Sequence, residues 1–134
     1  EPPVRDIPVS IIQQSEDMIV VNKPPGIPIY PVGQYQLNSL TEILKREHSI
    51  EKVYPVHRID RVTSGLVLFS KTSQYAGFVA KLLKQQAISK EYLAKVKGRF
   101  PQQAEANTPI VEAGKPQAIH RCAPEGRPSL THFE

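Results

Sequence analysis

Tryptophan is absent from this sequence, and Cys122 is its only cysteine. A lone thiol excludes an internal disulfide, and His48, His57, His120 and His132 taken with Cys122 match none of the common zinc-ligand spacings, so no metal site is expected. No apolar run approaches the roughly 18 residues that a membrane-spanning helix needs, which leads us to expect a soluble protein with no membrane partner. A secretory signal is not visible and the first residue is Glu1 rather than Met, so the chain reads as an excised portion of something longer. Acidic residues are the minority, 13 against 17 basic, for a net charge of +4 and a pI near 9.3. That balance favours polyanionic partners without specifying one. With 134 residues the chain can bury one core but hardly two.

Prolines, by contrast, are plentiful. They gather in stretches such as Lys23-Pro24-Pro25-Gly26 and Ile29-Tyr30-Pro31-Val32-Gly33, which can continue neither a helix nor a central strand. Between these loops, Val9 to Ile12 and Met18 to Asn22 read as two strands joined by a polar turn, and the second is apolar at consecutive positions, as in a strand covered on both faces. Pro25-Gly26 has the chemistry of a type II turn. Ser39 and Glu42 form a capping box ahead of a short helix, over residues 39 to about 47, that carries Leu40, Ile43 and Leu44 on one face. Val53 to Val56 is extended, and a strand is expected over 65 to 71. Thr72 or Ser73 then caps a helix with Tyr75, Phe78, Val79, Leu82 and Leu83 on its packing stripe. From Lys90 to Gly98 the alternation predicts a strand with Tyr92, Ala94 and Val96 facing inward. Short strands at Ile110 to Glu112, Ala118 to Arg121 and Ser129 to Phe133 complete an α+β class with a mixed, mainly antiparallel sheet and flanking helices.

The chemistry concentrates in His57-Arg58-Ile59-Asp60-Arg61-Val62-Thr63-Ser64-Gly65, which feeds directly into the apolar run Leu66-Val67-Leu68-Phe69. Two arginines beside Asp60 favour its ionised form, which suits a nucleophile or general base and not an acid. Thr63, Ser64 and Gly65 suit a tight turn into a strand. The same spacing also describes an ordinary surface ion-pair cluster, with Arg58 paired to Asp60. His57 is expected to be a hydrogen-bonded structural residue, and Lys23, Lys71 and Lys90 are candidates for phosphate contacts.

Together with Ser70-Lys71-Thr72, this stretch closely resembles the signature of the RluA-type RNA pseudouridine synthases. Ile19 to Gly26 resembles the family's early strand and turn, Lys90 to Gly98 its second motif, and Gly126 to Phe133 its later strand. Glu1-Pro2-Pro3-Val4 and Gly33 to Asn38 resemble the eukaryotic branch, which includes tRNA-modifying members. The resemblance implies an intracellular, cofactor-free isomerase that converts uridine in structured RNA, tRNA before rRNA, into pseudouridine on the family's catalytic fold. It implies that Asp60 is the catalytic carboxylate, attacking the anomeric carbon or removing the sugar's 2′ proton. Arg58 corresponds to the arginine that fills the space vacated by the flipped base, and Tyr92 to the tyrosine that packs on uracil. The family's third motif has no counterpart after Phe133, so residues 1–134 are expected to be the N-terminal part of a catalytic domain cut at both ends, inactive by itself. The alternative is a non-catalytic RNA-binding module of the same fold. A carboxylate-based glycoside hydrolase would need a second acid at a matching motif, and none stands out.

Overall fold

The computed structural model describes residues 1–112, 114 and 119–134. Their contacts divide into two units, Glu1–Lys90 and Glu91–Glu134. In the first, strands β1 (Ser10–Gln14) and β2 (Met18–Lys23) form the expected hairpin, followed by helix α1 (Leu40–His48), the short strand β3 (Tyr54–Pro55), strand β4 (Gly65–Ser70) and helix α2 (Ser73–Lys84). The sheet order is β1-β2-β4-β3, with every neighbouring pair antiparallel. Apolar, hydrogen-bonded β2 and β4 occupy the centre, and Pro55 sits on an edge strand, where a missing N–H is tolerated. The pairing of β1 with β2 shifts between Ile11 and Gln13, leaving Ile12 as the extra residue of a bulge, 57% exposed.

The period of two decides what this sheet buries. Ile19, Val21 and Lys23 point to one face of β2, and their cross-strand partners Phe69, Val67 and Gly65 share it. The apolar members of that set are fully buried with Leu40 and Leu44 of α1. Burying each such side chain stabilises the fold by about 1.5–3 kcal/mol. All three apolar residues expected on the face of α1 are buried, but the helix starts differently from its capping-box reading. The Ser39 hydroxyl makes no cap bond; the N–H groups of Leu40 and Thr41 instead donate to the carbonyls of Pro28 and Ile29 at 2.9 and 3.0 Å. A neighbouring loop thus satisfies the orphan donors that the side chain was expected to satisfy. Thr72 does cap α2, its Oγ1 accepting from the Tyr75 N–H at 3.2 Å. Val79 is the buried centre of α2, whereas Phe78, about 100° further round the helix, is 53% exposed with its ring beside Tyr75.

The second unit consists of two antiparallel ribbons: β5 (Ala104–Ala106) with β8 (Thr131–Phe133), and β6 (Ile110–Glu112) with β7 (His120–Cys122). Ala118, where a strand was expected to begin, lies outside the described residues. The strand expected over residues 90 to 98 does not form. Tyr92, Ala94 and Val96, placed inward by the alternation, are all exposed. Alternation creates an inner face only where a partner strand takes up the backbone N–H and C=O groups, and among the described residues none pairs with this stretch. Gly126 closes the turn after β7 so tightly that a Cβ there would stand 2.6 to 2.7 Å from the backbone of Ile110. That approach permits the reciprocal Ile110 and Arg127 hydrogen bonds, 3.0 and 2.8 Å. Gly126→Ala should therefore separate the two segments and destabilise the second unit by roughly 1–3 kcal/mol. Amide exchange at Ile110 and Arg127 checks this, since both amides should lose protection while those of β2 and β4 keep theirs.

Candidate active site

Two loops of the first unit converge, one leaving β2 and the other entering β4. Lys23, the last residue of β2, is fully buried. Its ammonium donates to the carbonyls of Pro24 at 3.0 Å, Ile27 at 2.9 Å and Arg61 at 3.1 Å. An ammonium has three N–H donors, so each is used and the hydrogen-bonding capacity is complete. The Arg61 carbonyl also accepts from the Gly26 N–H at 2.8 Å, and the Arg61 guanidinium reaches back to the Gly26 carbonyl at 3.4 Å. Gly26 adopts φ +99°, in the left-handed region that its turn requires and that side chains disfavour. Burial pushes the Lys23 ammonium down from its ordinary value of 10.5 to about 8; the charge of Arg61 adds to this and that of Asp60 opposes it. At neutrality Lys23 therefore remains mostly protonated. Of the lysines that were candidates for phosphate contacts or for plain solvation, Lys23 does neither, because its donors are all committed to the backbone. Lys71 likewise donates to the Ser15 carbonyl at 2.8 Å, while Lys90 is exposed.

Between the clamp and β4, alternation orients the loop. Ile59 packs against the core, and its neighbours Arg58 and Asp60 are exposed. The Asp60 carbonyl accepts from the Thr63 N–H at 3.1 Å, which closes a turn, and Gly65 enters β4 at φ +121°. The alternative reading of this loop as an ion-pair cluster, with Arg58 paired to Asp60, does not hold among the described residues. Both guanidinium groups lie over tyrosine rings instead: Arg58 is 5.9 Å from the Tyr30 centroid with Nη1 donating to its hydroxyl at 3.1 Å, and Arg61 is 5.3 Å from that of Tyr35. Exposed ion pairs contribute little, so a ring face with a hydrogen bond competes well for an arginine. The carboxylate of Asp60 is thereby left without an ionic partner in its own loop.

His57 has the structural role expected of it. Its Nε2 accepts from the Leu68 N–H at 2.9 Å, which places the proton of the neutral ring on Nδ1, a buried atom without a partner. Burial, with the charge of Lys90 adding to it, holds the imidazole below its ordinary value. Tyr92 belongs to the second unit and is 64% exposed, so its ring is accessible. Sequence reasoning singled out Asp60, Arg58 and Tyr92 but missed the buried clamp of Lys23 and the contacts of Tyr30 and Tyr35. The signal for Lys23 was available: it follows Ile19 and Val21 at spacing two and so had to share their buried face. Nothing local in the sequence could pair Tyr30 with Arg58 or Tyr35 with Arg61.

In this α+β unit the loop entering the central strand β4 thus presents Asp60 between two arginines that cover tyrosine rings. The profile of the RNA pseudouridylate synthase family matches residues 17–134. Human pseudouridylate synthase RPUSD2 is 34% identical over all of this chain, which covers 25% of that protein. The tRNA pseudouridine(31) synthase of Saccharomyces cerevisiae is 44% identical over 69% of this chain, covering 22% of the yeast protein. Among solved structures, human RNA pseudouridylate synthase domain containing 1 superposes with a TM-score of 0.72 at 23% identity, over 98% of this chain and 54% of that one. This chain belongs to the RNA pseudouridylate synthase family, and it spans about a quarter of the length of its human and mouse relatives.

The clamp generates a prediction about pH. Because the folded-state value of Lys23 is depressed, the unfolded chain binds a proton that the folded chain lacks between about 8 and 10.5, so this group makes stability rise with pH through that window. Lys23→Met should flatten that rise. At neutrality it should also cost about 1–3 kcal/mol, since three carbonyls lose their donor. Urea unfolding of both chains from neutrality to about pH 10.5 measures both effects; an unchanged slope in the variant would assign the rise to another group.

Proposed function

We propose that the protein containing this chain isomerises uridine to pseudouridine in structured RNA, with Asp60 as the catalytic carboxylate. The observation that carries this reading is the family match across 17–134 together with an Asp60 that is exposed and, among the described residues, unpaired, on a loop fastened at Ile59 and Arg61. The reaction breaks the bond between uracil N1 and the sugar's C1′, turns the base, and joins C5 to C1′. The proton lost from C5 balances the one gained at N1. Substrate and product are isomers, so no oxidant, reductant or cofactor is consumed. Asp60 acts either by attacking C1′ or by removing the 2′ proton, and both roles call for the ionised group. The target base must leave its stack to be reached; Arg58 fills the space it vacates. Tyr92 supplies an aromatic plane for the detached uracil, a role its exposed ring leaves open.

We take the substrate to be tRNA before rRNA, a choice supported by two yeast relatives named as tRNA pseudouridine(31) and tRNA pseudouridine(32) synthases. An RNA substrate implies an intracellular site of action, and no helix of the described residues is long and apolar enough to cross a membrane. We read residues 1–134 as the N-terminal part of the catalytic domain, in keeping with their 54% coverage of the human domain-containing-1 structure.

In the full-length protein, Asp60→Asn should lower pseudouridine formation on the order of 10⁴-fold or more while tRNA binding stays within a few-fold. Tyr92→Leu should lower turnover by roughly 10- to 100-fold, the worth of one stacked base, whereas Tyr92→Phe should stay near the parent. Pseudouridine-specific chemical labelling of a tRNA transcript, alongside a filter-binding assay, reads both. Turnover by Asp60→Asn at the parental rate would remove Asp60 from the chemistry.

A further inference from the structure

Next to the Asp60 loop, the first unit holds a cavity of about 320 Å³ whose wall contains Tyr30, Val32, Tyr35, Arg58 and Arg61 but neither Asp60 nor any other acidic residue. Its volume lies at the lower end of the range of small-molecule sites, about 300–1,000 Å³. The chemistry of the wall is specific. Two permanent cations face it, each laid over a tyrosine ring, and each guanidinium has spent only one of its five N–H donors on the protein contacts already described. The wall is also preorganised. Val32 and Tyr35 exchange backbone hydrogen bonds at 3.0 and 2.9 Å, Gly33 turns between them at φ +55°, and the Gln36 side chain donates to the Gly33 carbonyl at 2.7 Å. On the opposite side the Arg61 backbone is held by Lys23 and Gly26. A site whose side chains are fixed before binding loses less entropy on binding.

We propose that this cavity is a second nucleotide subsite, which takes the base and phosphate of a residue adjoining the target uridine in the RNA strand. The inference rests on the reading of the protein as an RNA-modifying enzyme, and it concerns a position distinct from the reacting base. Flat rings bind a base by stacking, which tolerates any base, and the spare donors of the Arg61 guanidinium bind a phosphate in bidentate fashion. A free anion would use only the cations and an apolar peptide only the rings; a nucleotide uses both. Arg58 lies two residues before Asp60 and Arg61 directly after it, so a strand that presents a uridine to Asp60 carries its neighbouring nucleotide past this wall. The subsite thus holds the strand in register, while the chemistry occurs at the carboxylate.

In the full-length protein, Tyr35→Trp places an indole reporter in this wall, where residues 1–134 have no tryptophan, and the difference from the parent isolates its signal. Uridine 5′-monophosphate and a short oligouridylate should quench its fluorescence, the oligonucleotide at lower concentration; uridine alone and inorganic phosphate alone should each bind at least about tenfold more weakly. Equal quenching by inorganic phosphate would reduce the site to a simple anion site and overturn the proposal. So would equal affinity for the mononucleotide and the oligonucleotide, since the occupant would then be a free nucleotide rather than RNA. In the full-length protein acting on a tRNA transcript, Tyr35→Ala should raise KM about tenfold and lower kcat far less, with Tyr35→Phe restoring KM. Val32→Asp, at a position 52% exposed and so tolerant of a polar side chain, should raise KM similarly by setting a negative charge against the phosphate. A KM unmoved by both substitutions refutes the subsite. If the full-length protein makes no pseudouridine but the reporter still prefers nucleotides over phosphate, the subsite stands and the assignment of the activity falls.

Discussion

One buried ammonium connects the parts of this structure that matter for function. Lys23 ends the central strand β2 on its core-facing side, where water cannot solvate the charge, and the backbone carbonyls of Pro24, Ile27 and Arg61 replace that water. Two of these carbonyls lie in the turn that follows β2, and the third lies beyond Asp60, 38 residues away in sequence. A charge of this kind cannot be moved to the surface without unmaking the strand end. Its partners are therefore held in place, and the proline-rich loop and the Asp60 loop become one body. Gly26 adds two further links to Arg61.

The positions of the polar side chains follow from that body. Ile59 enters the core, so Arg58 and Asp60 must face outward on either side of it. The proline-rich loop brings Tyr30 and Tyr35 within reach of the two arginines, and ring faces draw the guanidinium groups away from the carboxylate. The outcome is a carboxylate, unpaired among the described residues, beside a cationic, aromatic wall. In a chain of net charge +4 that belongs to the RNA pseudouridylate synthase family, this is the surface we propose for the RNA strand. His57 lies beside this wall as a structural residue: its Nε2 accepts from the Leu68 N–H, and burial, with the charge of Lys90 adding to it, holds the imidazole below its ordinary value.

Elements whose stability is local were legible. Both long strands of the first unit, both helices and the turn at Gly26 stand where periodicity and turn chemistry put them. Elements that depend on a partner were less so. The stretch from Lys90 to Gly98 has a strand's alternation but no strand to pair with among the described residues, and its inward set is exposed. Ser39 has a capping residue's identity, yet the carbonyls of Pro28 and Ile29 reach the helix end first. Phe78 sits on the apolar side of its helix, at the margin of a contact centred on Val79.

By itself, the sequence determined the class of the fold, the hairpin and helices of the first unit, the family, and Asp60 and Arg58 as members of one loop. All of these are written in short-range patterns: spacings of two and of 3.6, a glycine after a proline, and one long motif. The tertiary structure alone decided that Lys23 reaches the Arg61 carbonyl across the loops, that the arginines attend to tyrosines and not to Asp60, and that a walled cavity adjoins the loop. Each of those facts is a contact between segments far apart in sequence, and which of several possible partners a charged side chain takes depends on distances that only the folded backbone sets.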